Sequence, residues 1–396
     1  MYIYLSGHFG VAALCVQSPR REERLAINFI SSDVYREVGY PANHPLGIAR
    51  IGSVLTLCDL LGWLTPDTII DSPEAIRAQL TAFHSPDYIE ALWQADISGH
   101  VPPEVRLRHN LGTLENPVFP GLFRRAALSV GGSILAAERA ALGGVAYHPA
   151  GGTHHGLRDR ASGFCYFNDP VFAIQTLLNL GKRRVLYVDL DAHHGDGVEA
   201  AFTGDPRVRL ISVHEENRWP GTGRLDDRGT GNARNLAVPK AMNDSEMAVL
   251  MAKAVLPLAR EFAPDAVVIT CGADALAGDP LSSLALSNGC LLDAVMALVA
   301  LSPASVVLGG GGYNPWTVAR LWTGLWGRLA GHDLPGMLPE AAQAFLRGLA
   351  CDLVDADEVR PEWTRSLIDP PHTGEVRQRF HEISAAVLAD DGAAAA

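Results

Sequence analysis

The segment VLYVDLDAHHGDGVEA, residues 185–200, places a burst of acids and histidines directly after a run of apolar residues. An apolar run of this length, rich in Val and Leu, is typical of a parallel strand that is buried on both faces. Asp189, Asp191 and His193 stand two residues apart, so their side chains share one face while the chain remains extended. Ligands of open α/β sheets bind outside the carboxyl ends of the strands, so this segment predicts a ligand site there.

Apolar runs of the same kind recur along the chain between amphipathic stretches. The predicted strands are 26–30, 144–148, 184–191, 208–214, 265–272 and 304–312, and the predicted helices are 120–142, 169–181, 245–262 and 288–301. Gly181 is the predicted C-cap of the second helix. Two polar stretches rich in Gly and Pro, 101–118 and 215–238, are predicted to be long loops. The alternation predicts an α/β fold with a parallel sheet between two layers of helices.

Composition indicates a globular, enzyme-sized protein, since 48% of the 396 residues are hydrophobic and 19% are charged. No linker divides the chain, so we expect one catalytic domain over 25–385, preceded by an N-terminal extension (1–24) and followed by a flexible tail (386–396). The net charge of −12 argues against a nucleic-acid partner and favours a cationic substrate or a basic protein tail.

The cysteines indicate a reducing compartment. Their positions are 15, 58, 165, 271, 290 and 351, with no CxxC pair. This spacing suits neither a disulfide framework nor a cysteine-rich zinc site, so any metal ligands must be His and carboxylates. The apolar start of the chain lacks a basic n-region and is too short to span a bilayer, so we expect no membrane partner and a cytoplasmic location.

A metal site is the first chemical feature that the sequence predicts. Asp191 and His193 can reach one cation, and Asp274 ends a neighbouring strand in VVITCGADALAGDP (267–280), which adds a third donor. Two carboxylates and one imidazole leave coordination positions open, as a catalytic metal requires. The donor set suits Zn²⁺ and also Fe²⁺ or Co²⁺. The alternative is that the acids only cap helices.

A histidine pair is the second feature. His154 and His155 follow the predicted strand 144–148 within HPAGGTHHGLRDRASGFCYFND (148–169). Neutral imidazole is suited to take a proton from water and to return it to a leaving amine near pH 7. Asp189 and Asp196 could orient the two rings through their second nitrogens. The alternative is a solvated or structural pair of histidines.

The third feature is LGGGGYNPWTVARLW (308–322), where four glycines lead to Tyr313 and then to a helix. Glycines allow the backbone to approach a crowded site, where the Tyr313 hydroxyl could donate to a developing oxyanion. A phosphate-binding loop is the alternative. It is disfavoured because no GK[ST] follows and the GxGxxG spacing is absent.

Four of these segments, in this order, resemble motifs of the histone deacetylase superfamily, which includes bacterial acetoin-utilisation-type proteins and acetylpolyamine amidohydrolases. They are GGTHHGLRDRASGFCYFND, YVDLDAHHGDGVE, GADALAGDPL and GGGGYN, and the likeness runs from about residue 25 to about residue 330. The resemblance implies an arginase-like α/β/α sandwich with an eight-stranded parallel sheet. It also implies that Asp191, His193 and Asp274 hold the catalytic zinc.

The resemblance implies roles for the remaining site residues. His155 would be the general base paired with Asp196, His154 its electrostatic or acid partner paired with Asp189, and Tyr313 the group that binds the substrate carbonyl. A structural K⁺ is implied near Asp189, Asp191, His193 and Ser212, mostly through backbone carbonyls.

The resemblance also implies the groups around the substrate. Gly163, Phe164 and Gly311 would line the acyl tunnel, with Trp219 opposite Phe164 where many relatives carry Phe. Arg50, in YPANHPLGIARIG (40–52), would lie near an internal acetate channel, and Glu115, in LENPVF, corresponds to the rim acid that holds the substrate backbone.

The sequence therefore predicts a zinc-dependent deacylase that removes an acyl group, most simply acetyl, from a lysine side chain or another amine. An acetylpolyamine or other small-molecule amidohydrolase on the same site is the alternative. A ureohydrolase with two manganese ions would need further bridging carboxylates, whereas Asp189 and Asp196 are committed to the histidines. A non-catalytic acyl-lysine binding module would usually lack a ligand, the base or the tyrosine, and all are present here.

Overall fold

The computed structural model describes residues 26–389, and its centre is one eight-stranded, entirely parallel sheet. The strands are β1 (Ala26–Ser31), β2 (Ile69–Asp71), β3 (Gly144–His148), β4 (Val185–Asp189), β5 (Val208–Glu215), β6 (Ala233–Val238), β7 (Ala266–Thr270) and β8 (Ala304–Leu308). Their order across the sheet is β2-β1-β3-β8-β7-β4-β5-β6. The predicted α/β architecture with a parallel sheet is confirmed.

Helices connect the strands and cover the sheet. They are α1 (Ile51–Leu60), α2 (Arg77–Leu80), α3 (Pro86–Ser98), α4 (Pro103–His109), α5 (Leu122–Ala141), α6 (Asp169–Asn179), α7 (Asp196–Phe202), α8 (Asp244–Leu250), α9 (Leu256–Phe262), α10 (Asn288–Val299), α11 (Pro315–Ala330), α12 (Glu340–Arg347) and α13 (Gln378–Ala389). A π-helical turn, Met251–Val255, joins α8 to α9, so the predicted helix 245–262 is continuous.

Each face of the sheet packs into its own apolar core. Leu186 and Val188 of β4 point to the side covered by α1 and α8 to α13, whereas Val185 and Tyr187 point to the side covered by α3, α5, α6 and α7. Successive side chains of a strand alternate between faces, so both sets must be apolar when both faces are covered. Because both faces of these strands are buried, the polar residues at their carboxyl ends are held in defined positions.

Parts of the predicted loops are ordered secondary structure. The last six residues of 215–238 form the edge strand β6, although ARNLAV contains two polar residues, because Arg234 and Asn235 find hydrogen-bond partners in the fold. The stretch 101–118 contains α4. The short strand β2 was not predicted. The prediction for Gly181 is wrong by one position, since Leu180 is the C-cap of α6 and Gly181 follows it at φ 91°.

The predicted outer boundaries meet the structure only in part. Helix α13 runs to Ala389, so residues 386–389 of the predicted tail are helical. The predicted extension 1–24 and the rest of the tail lie outside the described residues. Among residues 26–389, no helix combines the length and the apolar character that a bilayer crossing demands.

Candidate active site

The predicted metal ligands come together at the carboxyl edge of the sheet. Strands β4 and β7 are neighbours, with Asp189 opposite Thr270, so the turns that follow them meet. Asp191 and His193 lie in the turn after β4, and Asp274 lies in the turn after β7. Ligand atoms of these three buried residues all lie within 4.8 Å of one another. Among the residues that the structure describes, this is the one group with metal-ligand geometry.

The charges of this triad favour a cation. Burial raises the pKa of Asp274, and the neighbouring Asp191 carboxylate raises it further, to about 6. Burial lowers the pKa of His193, but its hydrogen bonds to Asp191 and Asp274 outweigh that effect and raise the pKa to about 10. At neutral pH His193 therefore keeps a proton beside the two carboxylates when no other cation is present. Two carboxylates and one imidazole fit a divalent cation that replaces that proton.

Backbone groups hold the carboxylates of the triad in place. The Gly311 N–H donates to Asp191 Oδ2 at 2.5 Å, and the Ala192 N–H donates to Asp274 Oδ1 at 3.0 Å. A Cβ at Gly311 would collide with Asp274 Oδ2. Gly311 therefore lies at the floor of the site, against the metal ligands, and only a residue without a side chain fits there.

The two predicted carboxylate–histidine dyads are present. His154 Nδ1 lies 2.7 Å from Asp189 Oδ2, and His155 Nδ1 lies 2.7 Å from Asp196 Oδ1. Both rings are buried, and their centroids are 3.9 Å apart. Since each Nδ1 is engaged by a carboxylate, Nε2 is the nitrogen left to face a reactant.

The surroundings of the two rings give them different charges. Burial lowers the pKa of His154, but the carboxylates of Asp189 and Asp191 outweigh it and raise the pKa to about 9. Burial lowers the pKa of His155, and the positive charge of His154 lowers it further, to about 3, despite the hydrogen bond to Asp196. At neutral pH one imidazolium thus stands beside one neutral imidazole. His155 is the ring that is ready to accept a proton.

Tyr313 reaches the site through the glycine-rich loop after β8. Gly310 and Gly312 have φ values of 155° and 141°, and this backbone path brings the Tyr313 ring to 6.4 Å from the His193 ring, centroid to centroid. Asp279 Oδ2 accepts the Tyr313 N–H at 2.7 Å. Burial raises the pKa of the Tyr313 hydroxyl well above its usual value, and the carboxylates of Asp274 and Asp191 add to this. The hydroxyl therefore remains a donor at neutral pH.

Aromatic side chains surround the mouth of the site, which opens into a cavity of about 980 Å³. Phe164 lies edge-on to Tyr313, with ring centroids 5.9 Å apart. Trp219 lies edge-on to His155 at 4.7 Å and remains 45% exposed. A Cβ at Gly163 would collide with the Trp219 ring. Gly163, Phe164 and Trp219 thus line one cavity, and their role as walls of an acyl tunnel stays a prediction.

Glu115 lines the same mouth, and its carboxylate is already engaged within the chain. Oε1 accepts the Gly163 N–H at 2.9 Å, and Oε2 accepts from the side-chain amides of Asn110 at 2.7 Å and Asn116 at 3.2 Å. The carboxylate thus connects the 110–116 segment to the tunnel wall. A substrate contact by Glu115 stays a prediction.

Arg50 lies behind the site, in the wall of a separate cavity of about 130 Å³ that also reaches His154 and Tyr313. Its guanidinium donates to the Gly310 carbonyl and lies 5.0 Å from the Trp322 ring centroid. Its buried Nε has no hydrogen-bond partner. A cationic group in the wall of a cavity suits a carboxylate, and the acetate-channel role remains a prediction.

Ser212, predicted near a structural K⁺, lies on β5 opposite Asp189 of β4. Its hydroxyl is 2.8 Å from His214 Nδ1. The sheet thus brings together the residues that the resemblance assigned to this ion.

Several supporting residues escaped the sequence reasoning. The Tyr187 hydroxyl donates to Asp189 Oδ2 at 2.7 Å, and the Asn168 side-chain amide donates to the His154 carbonyl at 3.1 Å. Asp279 holds the Tyr313 backbone, as described above. Tyr187 and Asn168 are ordinary members of a strand and a helix cap in the sequence. All three lie within segments that the sequence analysis quotes: Tyr187 in YVDLDAHHGDGVE, Asn168 in GGTHHGLRDRASGFCYFND and Asp279 in GADALAGDPL.

Comparison with known proteins agrees with this geometry. The family model described as "Histone deacetylase domain" matches residues 44–329. The chain is 34% identical over 326 residues to the acetoin utilization protein AcuC of Bacillus subtilis, covering 78% of this chain and 84% of that protein. It is 36% identical over 309 residues to the histone deacetylase clr6 of Schizosaccharomyces pombe, covering 76% of each.

Solved structures share the fold. The crystal structure of an HDAC homologue from Aquifex aeolicus superposes with a TM-score of 0.86 at 35% identity, covering 91% of this chain and 99% of that one. A structure of an HDAC homologue complexed with SAHA gives the same values. The matched stretch of the family model extends from before Arg50 to beyond Tyr313, so it contains the whole site.

Proposed function

The chain belongs to the histone deacetylase family, whose members are hydrolases of acetylated amides, and from this we propose that it is a metal-dependent deacylase acting on an N-acyl lysine side chain. One observation carries the proposal: the His154–Asp189 and His155–Asp196 dyads lie beside a buried Asp191–His193–Asp274 triad. Metal-assisted hydrolysis of an amide needs a positioned base beside the metal site.

Zn²⁺ is the proposed ion, and the donor set also accepts Fe²⁺ or Co²⁺. Held by Asp191, His193 and Asp274, it would polarise the acyl carbonyl and lower the pKa of the attacking water. A structural K⁺ near Ser212 and Asp189 is proposed on the family resemblance together with the pairing of these residues across β4 and β5.

The protein's own groups would move the protons. His155 Nε2 takes a proton from the attacking water while Asp196 holds Nδ1. The Tyr313 hydroxyl donates to the oxyanion that forms at the acyl carbon. His154, kept cationic by Asp189, offsets the negative charge of that oxyanion. His155 then returns its proton to the nitrogen as the C–N bond breaks, which releases the carboxylic acid and the free amine.

The charges at the mouth favour a peptide over a free acylpolyamine. Its wall contains three acids and three bases: Glu115, Glu215, Glu216, Arg218, Lys240 and Arg377. A site for a polycation would be expected to carry an excess of acids. The balanced mouth therefore favours an acyl-lysine within a polypeptide, with small acylated amines as the second candidate.

The test is hydrolysis of three substrates by zinc-reconstituted protein: an acetyl-lysine peptide, a trifluoroacetyl-lysine analogue and acetylputrescine. We expect turnover of the peptide that a chelator and the substitution His155→Ala both abolish, whereas His100→Ala, at an exposed histidine, has no effect. Faster turnover of acetylputrescine would transfer the assignment to small amines. No turnover of any substrate with the metal bound would favour the binding-module alternative.

A further inference from the structure

Two loops line the mouth, and the Arg218 side chain connects them. One loop, 216–221, carries Trp219, and the other, 279–283, follows the turn that holds Asp274. The Arg218 guanidinium donates to both oxygens of Glu215, at 2.6 and 2.8 Å. It also donates to the Leu281 carbonyl at 2.7 Å and to the Ser283 hydroxyl at 2.9 Å. We call these four residues, Glu215, Arg218, Leu281 and Ser283, the Arg218 clip.

The clip is sheltered from solvent, which gives it the rigidity that exposed ion pairs lack. The Glu215 side chain is 1% exposed and that of Arg218 is 22% exposed. Glu215 Oε2 also accepts the Ser283 N–H at 2.8 Å. A two-pronged arginine–carboxylate pair with further hydrogen bonds has one preferred geometry. Lysine lacks the planar fork and could not reproduce all four contacts of Arg218.

Trp219 depends on this anchor because burial does not hold its ring. The ring is 45% exposed and rests on Gly163 and on the edge of His155. Arg218 is the residue directly before it, and Asn217, at φ 60°, forms the turn that leads there. The position of the tunnel wall is thus set by a backbone that the clip holds.

The clip is also linked to the backbone of Tyr313 through Asp279. Asp279 accepts the Leu281 N–H at 2.9 Å and the Tyr313 N–H at 2.7 Å. One short loop therefore supports both the Arg218 clip and the backbone of the proposed oxyanion donor. The clip thus connects the backbone beside Trp219 to the loop that holds the Tyr313 backbone.

We propose that Arg218 is a specificity-determining positioning residue, which rests on the proposed deacylase function. By holding Trp219 against Gly163, the clip keeps the entrance narrow, so that a small acyl group on an unbranched stem passes and a bulky acyl group is rejected. Selectivity of this kind arises from the differential fit of two substrates at the transition state. Arg218 does not touch the reacting atoms and acts through Trp219.

The test compares one lysine peptide carrying an acetyl group with the same peptide carrying a benzoyl group on the lysine nitrogen. The measured quantity is the ratio of the two kcat/KM values in zinc-loaded protein. We expect Arg218→Ala to lower the acetyl preference about tenfold, and Trp219→Ala to lower it at least as much. The double variant is expected to match Trp219→Ala alone, because a residue that acts through another gives non-additive effects.

Two further variants control the interpretation. Arg224→Ala removes an arginine that is 80% exposed and pairs with Asp226 nearby in the same region, and it is expected to leave the ratio unchanged. Arg218→Lys keeps the charge beside Glu215 and is expected to give an intermediate ratio, which also covers the case in which Arg218→Ala fails to fold.

The outcomes separate the two proposals. The first outcome concerns a parent protein that hydrolyses the acetyl peptide. If the Arg218→Lys ratio is then within twofold of the parent ratio, and any folded Arg218→Ala protein keeps the acetyl preference, the role of Arg218 alone is overturned. Effects of Arg218→Ala and Trp219→Ala that multiply in the double variant also overturn it. A zinc-loaded parent that hydrolyses neither peptide overturns the proposed function, and the role of Arg218 falls with it.

Discussion

We expect acid to destabilise the protein through His84, whose buried ring supports the segment that contains His154. The ring is 1% exposed, and its Nε2 accepts the Asn168 N–H at 3.1 Å, so the ring proton must lie on Nδ1, which donates to the Leu157 carbonyl at 3.0 Å. Burial lowers the pKa of His84 from 6.5 to about 3, against the opposing effect of its backbone hydrogen bonds. Protonation of Nε2 would break the hydrogen bond from the Asn168 backbone N–H. The side-chain amide of the same residue holds the His154 carbonyl.

The size of the effect follows from the two pKa values. Below pH 6.5 the unfolded chain binds a proton at this site and the folded chain does not, so stability that is fully present above pH 6.5 is lost as the pH falls toward 3. At pH 5 the loss amounts to about 2 kcal/mol, since each pH unit contributes about 1.4 kcal/mol. His214, whose pKa burial also lowers to about 3, adds a loss of the same sign.

Urea unfolding at pH 8 and pH 5 isolates the part that belongs to His84. His84→Gln retains an acceptor for the Asn168 N–H and cannot titrate. Because it replaces a buried, hydrogen-bonded ring, we expect the variant to be less stable than the parent at pH 8 by about 1–3 kcal/mol. At pH 5 that difference should shrink by about 2 kcal/mol, because only the parent loses stability through this site. The exposed His100→Gln serves as the control, with equal metal content in all samples. A stability difference that is the same at both pH values would refute the reasoning.

Three further predictions concern the site itself. Tyr313→Phe should lower kcat by about 10²–10³ with little change in KM, as measured by steady-state hydrolysis, because it removes a donor to the oxyanion. Gly311→Ala should weaken zinc binding in a chelator competition, since its Cβ collides with Asp274 Oδ2, whereas Gly324→Ala should not, because its Cβ meets Leu292 at an ordinary 3.5 Å. Zinc must displace the proton of His193, so its affinity should fall about tenfold per pH unit as the pH decreases from 8 to 7. The fall should be steeper below pH 6, where Asp274 also binds a proton. A zinc affinity that does not change with pH would contradict this.

The candidate catalytic groups stand out in the sequence because each of them breaks a local pattern, and the structure brings them close together. Asp191, His193 and Asp274 are polar residues that follow apolar strands, and parallel strands end at a common edge. Tyr313 follows four consecutive glycines, which neither the strand pattern before them nor the helix pattern after them explains. A residue that violates the local pattern without compensation nearby is usually there for a function.

The elements that the sequence analysis missed show no feature in the local sequence that would reveal them. Strand β6 is fully buried yet contains Arg234 and Asn235. The Asn235 amide donates to Glu199 at 2.9 Å, a contact that exists only in the folded chain. Strand β2 has only three residues, too few to show alternation. Likewise, nothing in the sequence distinguishes Tyr187 from a core aromatic, because its bond to Asp189 arises from tertiary packing.

The floor and the mouth of the site differ in what fixes them, and this explains why the chemistry was easier to predict than the substrate. The carboxylates of the predicted metal triad lie at strand ends and accept hydrogen bonds from backbone N–H groups. The mouth is held by side chains of two loops, chiefly Arg218 with Glu215 and Glu115 with Gly163. Substitutions there can move Trp219 without disturbing the sheet. We therefore expect substrate choice to depend on the contacts of these loops, and the proposed reaction to depend on the strand ends of the sheet.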